Sequence, residues 1–93
     1  MNLSRYPEET GQMTINGKKM EWTFRRSKAE SAFGIRGTRI FALTLKKDGS
    51  VVGDYNMGWD KKIPSEDEES VLCLTYLLDR FGKQKKKEKK NAW

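Results

Sequence analysis

The chain of 93 residues contains no histidine and one cysteine, Cys73. A lone cysteine cannot close an intramolecular disulfide, so folding does not require an oxidising compartment. Zinc sites draw on several Cys and His ligands, and Ser-His-Asp or Cys-His catalysis needs an imidazole, so both are excluded. No metal or other cofactor is expected. Long apolar runs are also absent, and the opening Met1-Asn2-Leu3-Ser4-Arg5 lacks the apolar stretch of an export signal. Neither a membrane span nor secretion is therefore expected, and the cytoplasm is the expected location. Prolines number two, and both Pro7 and Pro64 read as breaks between elements.

Positive charge is plentiful but unevenly placed. Lys and Arg total 19 against 13 Asp and Glu, a net +6. Six of those cations fall after Gly82, in Lys83–Trp93, whereas residues 1–82 hold 13 cations against 12 acids. The high isoelectric point thus belongs mostly to the tail. Within the body, residues 18–47 carry nine Lys/Arg against two glutamates, and Glu66-Asp67-Glu68-Glu69 then reverse the sign. A body that is nearly neutral in sum is polarised, and such polarity steers anionic partners.

The pattern divides the chain into a flexible lead-in (1–10), a single ββββα domain (11–82) and a lysine-rich tail (83–93). Asn16-Gly17 is the favoured pair for a two-residue type I′ hairpin turn. It pairs Ile15 with Lys18 and Met13 with Met20, which gathers Met13, Ile15, Met20, Trp22 and Phe24 on one face. Thr14, Lys19, Glu21, Thr23 and Arg25 take the other. For the second hairpin, a three-residue loop Lys47-Asp48-Gly49 with a bulge at Gly49 aligns Phe41, Leu43, Leu45, Val51, Gly53, Tyr55 and Met57. A two-residue loop would mix Leu43 with Asp54, so burial selects the bulged register. The outer face then carries Ile40, Ala42, Thr44, Lys46, Val52, Asp54 and Asn56. Trp59 continues the alternation, either as the last core residue or as a stacking platform at the sheet edge.

Between the hairpins, Ser27–Gly37 holds Phe33 and Ile35 among basic residues. It reads either as a connection folded back on the core or as a mobile, arginine-flanked binding loop. After Pro64, Ser65 and Glu68 form a capping box, which accounts for the acidic cluster without catalysis. Val71, Leu74, Leu77, Leu78 and Phe81 then recur at helical spacing, and Gly82 is the expected stop. Leu72 and Tyr76 lie off that stripe. The tail reads as a solubility extension or as a phosphate-attracting segment, with Trp93 unassigned between stacking and docking back.

The expected fold is α+β. Two hairpins, about 12–26 and 38–59, form a four-stranded antiparallel sheet, and one C-terminal amphipathic helix, about 66–81, packs on one face.

Phe33-Gly34-Ile35-Arg36-Gly37-Thr38-Arg39-Ile40, Lys47-Asp48-Gly49, Tyr55, Gly58-Trp59-Asp60 and the acidic helix start together resemble an uncharacterised domain family of small phage, prophage and mobile-element proteins. The resemblance spans roughly residues 13–81 and brings no catalytic residues. It implies a mobile-element origin, a location in the bacterial host's cytoplasm, and action on host machinery or on the element's own DNA. The element order is also similar in topology to the single-stranded-DNA-binding transcriptional coactivator fold. Here the sheet face away from the helix offers Lys19, Arg25 and Lys46 but no aromatic residue.

The expected function is therefore non-enzymatic binding of nucleic acid or a nucleoprotein through a basic surface. Arg25, Arg26, Arg36 and Arg39 are its expected contacts, with Lys28 and Lys46 at the periphery, because arginine suits bidentate phosphate contact. The alternative is a small inhibitor of a host defence or transcription enzyme, for example of anti-CRISPR type, acting by protein–protein contact. Phe33, Trp59, Leu72 and Tyr76 would form the partner surface, on a monomer or a homodimer.

Overall fold

The computed structural model describes residues 6–83. The readings made for the first five residues, for most of the lysine-rich tail and for Trp93 lie outside the described residues. Five strands form one antiparallel meander in the order β1 to β5, and a single helix packs against one face.

β1 (Glu9–Ile15) and β2 (Lys18–Arg26) join through Asn16 and Gly17, both at positive φ (52° and 77°). Ile15 pairs with Lys18 and Met13 with Met20, as the alternation requires. Met20, Trp22 and Phe24 are buried while Thr14 and Lys19 are exposed, so this hairpin sorts its faces as expected. β1 already begins at Glu9, inside the stretch read as a lead-in.

β3 (Ile40–Lys47) and β4 (Ser50–Asn56) depart from the expected turn. The loop has two residues, Asp48 (φ 50°) and Gly49 (φ 88°), with Lys47 opposite Ser50. Asp48 is tied to β2: its N–H donates to the Lys19 carbonyl (2.8 Å), and its carboxylate accepts the Lys19 N–H (2.9 Å). With the turn pinned there, the extra residue moves into β4. Lys46 faces Val51, Leu45 faces Gly53, and Val52 is the bulge. Leu43, Leu45 and Tyr55 still reach the core, but Val51 and Met57 are exposed rather than part of the core face.

A second irregularity, between β2 and β3, corrects the opposite face. Arg25 pairs with Ala42 and Arg26 with Ile40, skipping Phe41. Ile40 is consequently a fully buried core residue instead of an outward one, while Phe41 meets Tyr6 edge-on at 5.2 Å.

The sheet has five strands, not four. The chain reverses at Met57 (φ 56°), the Asn56 N–H donates to the Gly58 carbonyl (2.8 Å), and β5 (Trp59–Lys61) returns along β4. Tyr55 pairs directly with Trp59. Directly paired residues share a face, so a returning strand and a continuing one give Trp59 the same parity. Alternation alone could not separate them.

α1 (Glu68–Leu77) continues into a π-type turn, Leu78–Gly82. Its N-cap is Asp67 rather than Ser65, because a turn closed by the Asp67 N–H on the Pro64 carbonyl (3.1 Å) precedes it. The Asp67 carboxylate accepts the Ser70 N–H (3.3 Å) and hydroxyl (2.9 Å), satisfying donors that the first helical turn leaves open. Leu74, Leu77 and Leu78 are buried with Cys73 and Ser70, and Val71 and Phe81 flank them. Burial pushes the Cys73 thiol up to about 11, which leaves it an inert apolar filler. No helix among the described residues is long and apolar enough to cross a membrane.

The connection between the hairpins is held at both ends. The Ser27 N–H donates to the Arg39 carbonyl (2.8 Å), and a short 3₁₀ turn spans Ile35–Gly37. Only one of its two apolar side chains folds back: Ile35 is buried in the core, whereas Phe33 is 61% exposed. The Phe33 carbonyl instead accepts the Tyr55 hydroxyl (2.9 Å).

Candidate functional site

The end of β2, the start of β3 and the end of the helix converge. The helix terminus presents carbonyls without intrahelical partners, and two arginines satisfy one of them. Arg26 Nη1 (3.1 Å) and Arg39 Nη2 (3.2 Å) both donate to the Phe81 carbonyl. The Arg39 N–H donates to the Gly82 carbonyl (2.7 Å). Cations at a helix C-terminus also oppose its negative dipole end. Gly82 fits because a Cβ there would lie 3.0 Å from Thr38 Cβ. Glycine at the stop therefore eases a close approach to Thr38, and its backbone is not left-handed.

Phe81 forms the apolar centre of this region. Its ring packs on Phe24 at 5.2 Å, and the guanidinium groups of Arg26 and Arg80 lie 5.4 and 5.8 Å from its centroid. Arg26, Arg39, Arg80 and Lys83 line one open cleft of about 540 Å³ around it. Two of the four are paired with carboxylates: Arg26 with Glu9 (2.8 Å) and Lys83 with Asp79 (3.2 Å). Arg39 and Arg80 have no carboxylate within ion-pair distance among the described residues. Arg39 Nε is buried with no hydrogen-bond partner among the described residues, so its guanidinium carries a desolvated, unused donor.

The expected contacts do not form one surface. Arg26 and Arg39 meet in the cleft, and Lys28 borders a neighbouring depression with both. Arg25 turns to the outer face, where it donates to the Tyr6 carbonyl (2.8 Å) and pairs with Glu8 (3.4 Å). Lys46 also lies on that face, opposite Glu21 in register. Arg36 shares a separate pocket with Trp59. Of the expected partner surface, Phe33, Leu72 and Tyr76 are exposed, although Tyr76 also contacts Trp22 and Phe81. Trp59 is half-buried and packs edge-on against Tyr55 at 4.9 Å.

Arg80 and Lys83 were absent from the expected set. Their signal was their place in the last turn of an amphipathic helix, beside the stop at Gly82. What no local pattern could supply is that Arg26 and Arg39, at strand ends thirteen residues apart in sequence, close onto that turn. Among the described residues, no group of three or more Cys, Asp or Glu is placed to hold a metal ion.

Neither a curated protein nor a solved structure matches the chain. The model of a family described as a domain of unknown function, DUF7678, matches residues 8–82, which takes in every strand, the helix and most of the basic cleft, and the chain belongs to that family.

Proposed function

We propose that this chain is a non-enzymatic binding protein that engages the phosphate backbone of nucleic acid, or of a nucleoprotein, through the cleft at the helix C-terminus. One observation carries the reading: four cations converge on the cleft, and two of them have no acidic partner among the described residues. Arginine presents a planar donor fork suited to phosphate oxygens, and its weak hydration lowers the cost of contact. Lys85–Lys90 follow the cleft directly in sequence and add attraction that is independent of base sequence. A small protein of a phage or mobile element, the setting implied by the sequence resemblance, has nucleic acid and nucleoprotein as natural targets.

The test is binding of the full chain to random single- and double-stranded oligonucleotides over a range of salt. Expected is an affinity that falls steeply with salt. Arg80→Glu with Lys83→Glu should weaken it about tenfold or more, at a cost in stability of about 1 kcal/mol from the helix dipole that leaves the chain folded. Equal binding by this double variant would assign the affinity to the tail. No binding by the wild type at low salt would sink the reading and leave the second one, a host-enzyme inhibitor acting by protein contact. That alternative draws on the exposure of Phe33 (61%), Leu72 (48%) and Tyr76 (38%).

A further inference from the structure

Beside the helix, on the side of β5, lies a second pocket of about 430 Å³. Trp59, Ile63, Val71 and Leu74 give it an apolar lining, and Arg36 and Lys62 supply two cations. No acidic residue lines it, and it shares no lining residue with the basic cleft.

Arg36 is the backbone outlier of this region. Three other non-glycine residues have positive φ, and all three sit in strand-to-strand turns: Asn16, Asp48 and Met57. Arg36 (φ 54°, ψ 33°) lies in the connection between β2 and β3, followed by Gly37 at φ 76°. A left-handed arginine is disfavoured by its Cβ, so surrounding structure must hold it in place. Here the 3₁₀ turn does so, through the Gly37 N–H on the Gly34 carbonyl (3.0 Å) and the Thr38 N–H on the Ile35 carbonyl (3.0 Å). Ile35, buried beneath, anchors the segment. The strained geometry leaves an exposed guanidinium at the rim of a pocket whose wall includes an indole.

We infer that this pocket binds a phosphorylated nucleobase, with the base against Trp59 and the apolar wall and the phosphate between Arg36 and Lys62. An aromatic surface accepts any base through its π-face, and two cations without a competing carboxylate select for an anion. The chemistry is shared by a free nucleotide and by one unit of a single strand. The inference goes beyond backbone binding at the cleft and does not depend on it.

Binding of adenosine monophosphate, ribose 5-phosphate and a short deoxythymidine oligonucleotide to the full chain tests it, read by calorimetry and by thermal shift. Expected is saturable binding of the nucleotide or the oligonucleotide, with ribose 5-phosphate at least ~fivefold weaker than the nucleotide because it offers no base. Nucleotide binding identifies a free-nucleotide site, and binding of the oligonucleotide alone, weakened by Trp59→Leu and kept in Arg80→Glu with Lys83→Glu, identifies a strand unit. Arg36→Ala and Lys62→Ala should each reduce the affinity about threefold or more without moving the melting temperature, since both side chains are exposed. Trp59→Leu should reduce it about fivefold or more, and Trp59→Phe, which keeps an aromatic face against Tyr55, should retain most of it. Equal affinity for ribose 5-phosphate, indifference to Arg36→Ala and Lys62→Ala, or no binding of either base-bearing probe overturns the inference. Arg80→Glu with Lys83→Glu should leave nucleotide binding unchanged, so this pocket and the cleft can fail separately.

Discussion

The two ends of the helix use charge in opposite ways. At the N-terminal end, Lys47 Nζ lies 2.7 Å from Asp67 Oδ1 and 3.5 Å from Glu69 Oε1, while Asn16 Nδ2 donates to the far Glu69 oxygen (3.1 Å). Those three charged side chains are only 13–23% exposed, and with Asn16 they fasten the β1–β2 turn, β3 and the start of the helix. At the C-terminal end four cations surround Phe81, with Glu9 and Asp79 the acids paired to them. Two arginines on the Phe81 carbonyl already satisfy and neutralise that terminus. Arg80, with no carboxylate partner among the described residues, exceeds what the helix requires, whereas Lys83 is balanced by Asp79. A closed cluster holds the fold together, whereas surplus charge of one sign is available to a partner.

The sharpest way to break this comparison is to remove Asp67. Asp67→Ala deletes the helix cap and leaves Lys47 half-buried with only the longer contact to Glu69. A loss of about 1 kcal/mol in chemical denaturation is expected from the lost helix cap, and the weakened hold on Lys47 acts in the same direction. Oligonucleotide affinity should stay within about twofold, because the change lies at the far end of the helix. A loss of stability below ~0.5 kcal/mol would show that the N-terminal cluster is not structural.

A smaller effect should appear with pH. Burial alone would raise the Asp67 carboxyl, but hydrogen bonds from Lys47 and Ser70 outweigh it and hold the group below the usual carboxylate range. Hydrogen bonds from Asn16 and its own backbone N–H hold Glu69 low as well. Groups lowered in the folded state contribute stability above their unfolded pKa of about 4 and lose it as pH falls through the folded value. The hydrogen bond to Asp67 outweighs desolvation and raises Lys47, whose contribution is complete below its ordinary value and is lost as pH rises through the raised one. Unfolding free energy should therefore be flat through neutrality and fall below about pH 4, as the two carboxylates protonate. Asp67→Ala should flatten that acid limb; an unchanged limb would place the acid sensitivity elsewhere.

How much of this was legible follows from the range of each interaction. The first hairpin, the helix stripe and the acidic cap zone were readable because turn chemistry and periodicity act within a few residues. The cap moved from Ser65 to Asp67 because Pro64–Asp67 close a turn that competes with the capping box. The bulge moved from Gly49 to Val52 because Asp48 bonds to Lys19, a partner 29 residues away that alternation does not contain. β5 was hidden by parity, since Trp59 faces the same way in either reading. The arginine contacts were read as one surface, yet three-dimensional pairing assigns Arg25 to Glu8, Arg26 and Arg39 to the helix end, and Arg36 to Trp59's pocket. Composition can show that a segment is basic, but which cations remain in surplus depends on which acids the fold brings to them.

The smallest expected effect tests that last point on the open face of the sheet. Lys46 is exposed there, opposite Glu21 in register, and Glu21 pairs with Lys19 (3.8 Å). Arg25 on the same face is paired with Glu8, and Thr44 donates to Asp54 (3.2 Å). Charge on this face is therefore largely balanced locally, and a balanced face releases few counterions from a phosphate backbone. Lys46→Gln should change oligonucleotide affinity by less than about twofold and leave its salt dependence intact, whereas a direct phosphate contact would lower the salt slope by about one. Stability should remain within ~0.5 kcal/mol, as is usual for an exposed surface substitution. A reduced slope would place the working surface on the sheet, and the surplus at the helix C-terminus would then need another explanation.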